Sequence, residues 1–217
     1  DMTAPSITAQ RRAEEKEQRR QSILDAAAVV VARKGVDALT MGDVAREARL
    51  SRGLVYFYFQ DKLDLLDGLA HRAVASLADR FRAAVSAHAT GFDQLNAIGR
   101  AYVQFAHERP VLFEALARFE TRELDPAEAE HNEAAAMDRS QELMGLMVES
   151  ILRGQADGSV RAGLDPMKTA MTLWGFTHGM IQVGAMKEAM LEQQFGFDAD
   201  ALLDHAFETI NLALAPA

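Results

Sequence analysis

The chain has 217 residues, 49% of them hydrophobic, no cysteine and a net charge of −9. That length buries a substantial core, the absence of thiols excludes disulfides and thiolate metal sites and fits a reducing cytoplasm, and the acidity excludes a uniformly basic nucleic-acid binder. The charge is uneven, however: residues 1–62 hold 11 Lys and Arg against 9 acids, a net +2, while residues 63–217 hold 12 against 23, a net −11. A polyanionic partner would be met by the first third alone, with the remainder held away.

Ala, Leu, Glu, Arg and Met dominate and runs of Val, Ile, Tyr and Thr are scarce, which predicts an all-α fold of about nine helices. The first ten residues are polar, carry Pro5 and are expected to be disordered; they lack the apolar segment of a secretory leader. Arg11, Arg12, Lys16, Arg19 and Arg20 follow, interleaved with Glu14, Glu15 and Glu17. Most of these read as a solvated helix start held by ion pairs three and four residues apart, with Arg19 and Arg20 kept as phosphate contacts. Residues 1–20 are thus taken as an arm.

The first full helix puts Ile23, Ala27, Val30 and Val31 on one face and stops at Gly35, after Lys34. Thr40 opens a second helix with Asp43 three residues on, a capping arrangement in which the side chain accepts an orphan backbone N–H. Val44 and Ala45 are its apolar stripe, and it ends near Arg49. Ser51 is a good N-cap for a third helix, in which Leu50, Leu54, Val55 and Phe59 fall at burial spacing. The same spacing leaves Arg52, Gly53, Tyr56 and Phe57 on the opposite side, with Tyr58 at the boundary.

Two readings of that side stand on spacing alone. In one, the aromatics are core of a helical hairpin. In the other, the helix lies in a DNA major groove, where Arg52 reaches a guanine edge or phosphate and Gly53 permits close approach. Tyr56 and Tyr58 then donate to phosphate, Phe57 touches a thymine methyl, and Lys62 neutralises charge at the start of the next helix.

After Lys62 an amphipathic helix carries Leu65, Leu66, Leu69, Val74, Leu77 and Phe81 to about residue 87 and is the expected strut between head and body, where a shift along the axis would act as a switch. Helices follow at about 92–107, with Leu95, Ile98, Tyr102 and Phe105 inward, and at 111–119 after Pro110. An acidic loop with Asp125-Pro126 leads to a long helix to about residue 155, with apolar positions from Leu143 to Leu152. A turn-rich link precedes two last helices, at about 166–194 and 198–214.

Residues 169–186 hold no charged side chain, but a membrane span is rejected. His178, Gln182, three threonines and Gly175, Gly179 and Gly184 are costly or weak in lipid, and no aromatic belt flanks them. Such a helix is instead expected to be buried on several sides. With the stripe of Leu202, Leu203, Phe207, Ile210 and Leu214 in the last helix, it suits a four-helix bundle between two subunits, the glycines allowing close backbone approach.

Enzyme signatures are absent: there is no His-Glu-x-x-His pair, no Gly-x-Ser-x-Gly elbow and no dinucleotide fingerprint. Gly179 and Gly184 have P-loop spacing, yet Ala185 stands where lysine is needed, and the six histidines lack ligand spacing. No catalytic residue, metal or cofactor is expected. Phe81, Tyr102, Phe105, Phe113, Phe119, Met144, Met147, Trp174, Phe176 and Met180 together could wall an apolar small-molecule pocket, with Tyr102, Thr177, His178 and Gln182 orienting the ligand. Taken singly, each of these positions reads first as ordinary core, and the pocket stands only on the set.

The stretch from about Ile23 through Leu66 resembles the DNA-binding domain of the TetR family of bacterial repressors. The similarity rests on Lys34-Gly35, Leu39-Thr40 and the run Ser51-Arg52-Gly53-Leu54-Val55-Tyr56-Phe57-Tyr58-Phe59 with Lys62 beyond. Gly158-Ser159-Val160-Arg161 through Leu173-Trp174-Gly175 is similar too, less specifically. There are two departures: Arg49 stands where the family has a turn glycine, and Tyr58 where histidine is common. Arg49 either strains that turn or adds a phosphate contact, and the residues leave both open.

The resemblance implies a helix-turn-helix head over residues 21–66 and an effector-binding and dimerisation body over residues 67–217. It implies a homodimer joined through the last two helices at Gly175, Gly179, Gly184, Leu202, Phe207 and Ile210. It also implies a repressor that meets a double-stranded palindromic operator through Thr40, Arg49, Arg52, Gly53, Tyr56, Phe57, Tyr58 and Lys62, and that answers a small effector. The alternative is an effector-binding or adaptor protein that keeps the head without operator binding.

Overall fold

The structure is a computed structural model that describes residues 7–122 and 131–216. Among these residues every regular element is helical: α1 Ile7–Lys34, α2 Met41–Glu47, α3 Arg52–Tyr58, α4 Lys62–Ser86, α5 Gly91–Glu108, α6 Pro110–Glu120, α7 His131–Asp157, α8 Pro166–Met190 and α9 Ala199–Leu214. The fold is all-α, as the composition predicts. No helix among the described residues is long and apolar enough to cross a membrane.

Two boundaries differ from the sequence reading. Residues 7–10 are helical rather than disordered, because α1 continues outward as a charged helix with pairs such as Arg11–Glu15 at 3.3 Å. Residues 1–6 lie outside the described ones, as do Asp125-Pro126 and the approach to α7. At the other end α8 does not run to residue 194 as an α-helix. Its last turn, Leu191–Phe195, widens to a π-turn that Gly196 closes at φ 75°.

The chain divides into two compact units. The first joins α1, α2, α3 and α4 up to Ala73 with α6; the second joins α4 from Val74 with α5, α7 from residue 137, α8 and α9. The first unit is built on Ile23, Leu24, Ala27, Val30, Leu39, Val44, Val55, Phe59, Leu65 and Leu69, all at 2% exposure or less. Each large aliphatic or aromatic side chain so buried contributes about 1.5–3 kcal/mol. Gly68 makes room for Phe59, whose ring carbon lies 2.9 Å from where a Cβ would stand. Asp37, in the link between α1 and α2, binds two other elements: its carbonyl accepts from Lys62 Nζ at 2.8 Å, and its carboxylate pairs with Arg118 of α6 at 3.1 Å. The buried carboxylate of Asp67 on α4 accepts two bonds from Arg122, at 2.8 and 3.1 Å.

In the second unit α5 begins backbone to backbone on α7. A Cβ at Gly91 would stand 2.1 Å from the Gly154 nitrogen and 2.3 Å from the Ser150 oxygen, so only glycine fits there. Asp157 and Ser159 accept the Gly91 and Phe92 N–H groups that α5 leaves orphaned, at 2.9 and 3.1 Å. Helices α8 and α9 pack along each other, and α5 packs on α8.

Candidate nucleic-acid interface and body cavity

The sequence Thr40-Met41-Gly42-Asp43 builds α2 from its cap. Thr40 Oγ1 accepts from the Asp43 N–H at 3.2 Å and donates to its carboxylate at 2.8 Å. Asp43 also binds Lys34 at 2.9 Å and Arg46 at 3.1 Å. These bonds, that from Lys34 foremost, hold the carboxyl well below its ordinary 3.8. The turn out of α2 passes through Arg49 at φ 56°, the only non-glycine residue with positive φ among the described ones. The strained alternative left open by the sequence is therefore the one realised, and the side chain is exposed as well.

Ser51 caps α3, its hydroxyl accepting from the Leu54 N–H at 3.2 Å. The helix buries Val55 and hands the chain to buried Phe59, while Leu50 and Leu54 are only half-buried because a two-turn helix cannot hide four positions. Arg52, Gly53, Tyr56 and Phe57 face outward, with Tyr56 at 49% and Phe57 at 70% exposure. Tyr58 is half-buried and meets the Phe57 ring edge-on at 5.3 Å. The Arg52 guanidinium lies along Gly42, 3.0 Å from where a Cβ would stand. Gly42 was not marked by sequence reasoning; a glycine one residue inside the cap of a helix packed on α3 was the available signal.

The cations around this face differ in their commitments. Arg19 is exposed. Arg20 keeps only 16% of its side chain in water, lies 5.2 Å over the Phe59 ring and approaches Glu17 at 3.9 Å, so it serves the head's own packing. Lys62 is half-buried and anchored on the Asp37 carbonyl, which fixes its charge at the α1–α2 link.

In the second unit an aromatic cluster forms around Tyr102. Its ring stacks on Trp174 at 4.5 Å and 13°, Phe81 meets both rings edge-on, and its hydroxyl bonds His178 Nδ1 at 2.6 Å. Burial pushes the His178 imidazole below its ordinary 6.5, favouring the neutral form. Phe81, Tyr102 and Trp174 wall a narrow cavity that also touches Leu95, Ile98, Gly99, Met147, Leu173, Thr177, Phe207, Ile210 and Leu214. Water centres have about 30 Å³ in it, room for two or so waters at roughly 10–15 Å³ each. Of the expected pocket residues, Phe81, Tyr102, Met147, Trp174 and Thr177 line this space. Phe105, Met144, His178 and Gln182 stand outside its lining, and Phe113 and Phe119 belong to α6 in the other unit.

The model of bacterial regulatory proteins of the tetR family matches residues 23–69, and the model of the tetracyclin repressor-like C-terminal domain matches residues 95–210. The chain belongs to the TetR family. The first match spans α2, α3 and their caps. The chain is 36% identical over 93 residues to the regulator BetI of Rhizobium meliloti, covering 42% of this chain and 46% of that protein. It is 30% identical over 105 residues to the repressor KstR of Mycobacterium tuberculosis, covering 48% of each. The chain spans about half or less of the length of the curated relatives it matches. In fold it is similar to FadR of Bacillus subtilis in complex with stearoyl-CoA, with TM-score 0.68 and 19% identity over 88% of this chain and 96% of that one. A Rhodococcus sp. RHA1 protein of unknown function is similar at TM-score 0.71 and 24% identity, covering 91% and 95%.

In this TetR-family chain the six residues expected at a subunit interface separate into two groups. Gly175 and Gly179 have open space where a Cβ would stand, and they lie along the outer side of α8 with Met171, Val183 and Met186, the last 77% exposed. Leu202 is half-buried. Gly184, in contrast, is buried against Ala199 of its own α9, while Phe207 and Ile210 turn inward to the cavity. The expectation that α8 is buried on several sides is not met within the chain: Ala170, Thr177, Ile181 and Gly184 form its buried side. Leu95 and Leu214 were read as apolar helix positions but, like Gly99 and Leu173, not as cavity lining, since aliphatics and a glycine on amphipathic helices carry no mark of a pocket.

Proposed function

We propose that the chain is a repressor that binds a palindromic operator as a homodimer in the cytoplasm and is released by a small, largely apolar effector. One observation carries this: Arg52, Tyr56 and Phe57 stand in water on one side of a short capped helix. A folded domain gains nothing by leaving such rings exposed, whereas a helix in a major groove uses a guanidinium for guanine, ring edges for thymine methyls and hydroxyls for phosphate. Thr40, Arg49, Gly53, Tyr58 and Lys62 border the same face, and Arg19 extends it toward the arm. Residues 21–66 act as the head, and residues 67–217 bind effector and partner subunit.

The outer stripe of α8, with Gly175, Gly179 and Leu202, supports dimerisation. The two heads then meet grooves about one helical turn, roughly 34 Å, apart or a small multiple of it. The effector occupies the aromatic-walled cavity, a reading supported by the stearoyl-CoA held by FadR of Bacillus subtilis. Effector binding favours one spacing of the heads by its tighter affinity for that arrangement.

Fluorescence anisotropy of the full chain on DNA flanking its own gene tests the reading. The wild type should bind a palindrome there, and Arg52→Ala should weaken it about 10- to 100-fold, with relaxed specificity at the contacted base. Equal affinity of wild type and variant for every fragment would overturn it.

A further inference from the structure

Outside the cavity, on the other side of α5, lies an open groove between α4 and α5 with about 490 Å³ of room. Helical spacing makes one helix serve both spaces: Leu95, Ile98, Gly99 and Tyr102 face the cavity, Ala97, Arg100, Ala101 and Gln104 face the groove, and Asn96 touches both. Phe207 lines the cavity and not the groove. Its ring lies 2.5 Å from where a Cβ on Gly99 would stand, and the Arg100 guanidinium covers that ring at 5.9 Å.

The groove's charges are not equivalent. Arg80 is engaged by Glu108 at 2.6 Å, and Asp93 accepts from the Thr90 hydroxyl at 2.7 Å. Arg100 is exposed and has no carboxylate partner among the described residues, in a chain of net charge −9. A cation with no carboxylate partner among the described residues, stacked on a ring that lines an apolar cavity, is placed for a molecule with an anionic end and an apolar chain. The cavity is too small for such a chain as it stands, since a ligand of that size needs roughly 300 Å³ or more. Phe207 must therefore swing from Gly99, and the movement opens the cavity beside Arg100.

We infer that the effector is an amphipathic anion whose chain replaces the Phe207 ring in the cavity and whose carboxylate or phosphate is held by Arg100 in the groove. The inference rests on the effector site proposed above and adds the ligand's charge, its direction and the residue that opens the way. Carboxylate and phosphate heads share the chemistry; a free fatty acid and an acyl-CoA thioester are its two sources.

Trp174 is the only tryptophan and lines the cavity, so its fluorescence in the full-length protein reports filling directly. Dodecanoic acid, dodecanoyl-CoA and methyl dodecanoate are titrated into wild type, Arg100→Gln and Gly99→Ala. One or both anions should bind the wild type at least about tenfold more tightly than the ester, and the tighter of the two names the source. Arg100→Gln should bring anion and ester to equal affinity. Gly99→Ala should move Phe207 and change ester affinity with the anion preference intact. If the ester binds as tightly as the anions, or the preference survives Arg100→Gln, the anionic-head inference fails while the apolar effector site stands. If no compound changes Trp174 fluorescence or operator binding, the effector site itself is lost, and the inference with it.

Discussion

Two of the surfaces that leave large apolar side chains in water, α3 and the outer stripe of α8, differ in almost everything else. On α3, Tyr56 and Phe57 stand with Arg52 and close to Arg49, and the helix holds no acid. Rings, hydroxyls and guanidinium make a mixed surface that suits base edges and phosphates. On α8, Met171, Val183 and Met186 alternate with glycines, and no charge occurs from residue 169 to 186. That surface has nothing to offer a polyanion but can lie flat on a copy of itself. Exposure alone does not name a partner; the chemistry of the neighbouring side chains does.

The largest effect that would break the comparison lies on α8. Met171→Glu with Met186→Glu should convert a dimer to monomers in sedimentation velocity, and operator affinity should drop at least ~100-fold as the two half-sites lose their linkage. A dimer that persists would move the interface elsewhere. On α3, Tyr56→Ala with Phe57→Ala should leave urea stability within about 0.5 kcal/mol of wild type while weakening operator binding by roughly 1–3 kcal/mol. A large loss of stability would mean that the rings serve the fold instead.

A smaller effect separates the units by pH. Because burial lowers the His178 pKa, the unfolded chain binds more protons than the folded one just below 6.5. The stabilisation is therefore complete above about that pH and is lost as the pH falls through it toward the lowered native value. Urea unfolding followed by Trp174 fluorescence should show this slope in wild type, and His178→Asn should reduce it. The least effect is expected at the turn before α3. Arg49→Gly relieves a left-handed residue of about 1 kcal/mol but frees the unfolded chain by about half as much, leaving a gain of roughly 0.5 kcal/mol in thermal unfolding and one cation fewer beside the DNA.

The two surfaces were also unequally legible. The head is written in short-range signals: Thr40 and Ser51 each cap a helix three residues ahead of the N–H they accept, and Leu54, Val55 and Phe59 mark the inward side. Arg49 was recognised as anomalous, but its φ is decided by how α2 and α3 meet. Arg20 shows the limit most plainly, since a cation in a basic run looks like a phosphate contact until Phe59, 39 positions on, is found beneath it. In the body, Phe207 and Gly184 lie on helices whose apolar residues surround much of the axis, so periodicity could not say which neighbour each would meet. Gly99 and Phe207 are 108 positions apart, and nothing local pairs them.

The start of α5 on α7 gives the molecule a position with no tolerance at all. At residue 91 even a methyl group would fall inside the backbone of residues 150 and 154. A saturation library there should return glycine alone among folded chains, whatever operator or effector is supplied. That position can serve as an internal standard in a genetic screen, calibrating how a collapsed protein scores before any loss elsewhere is ascribed to recognition.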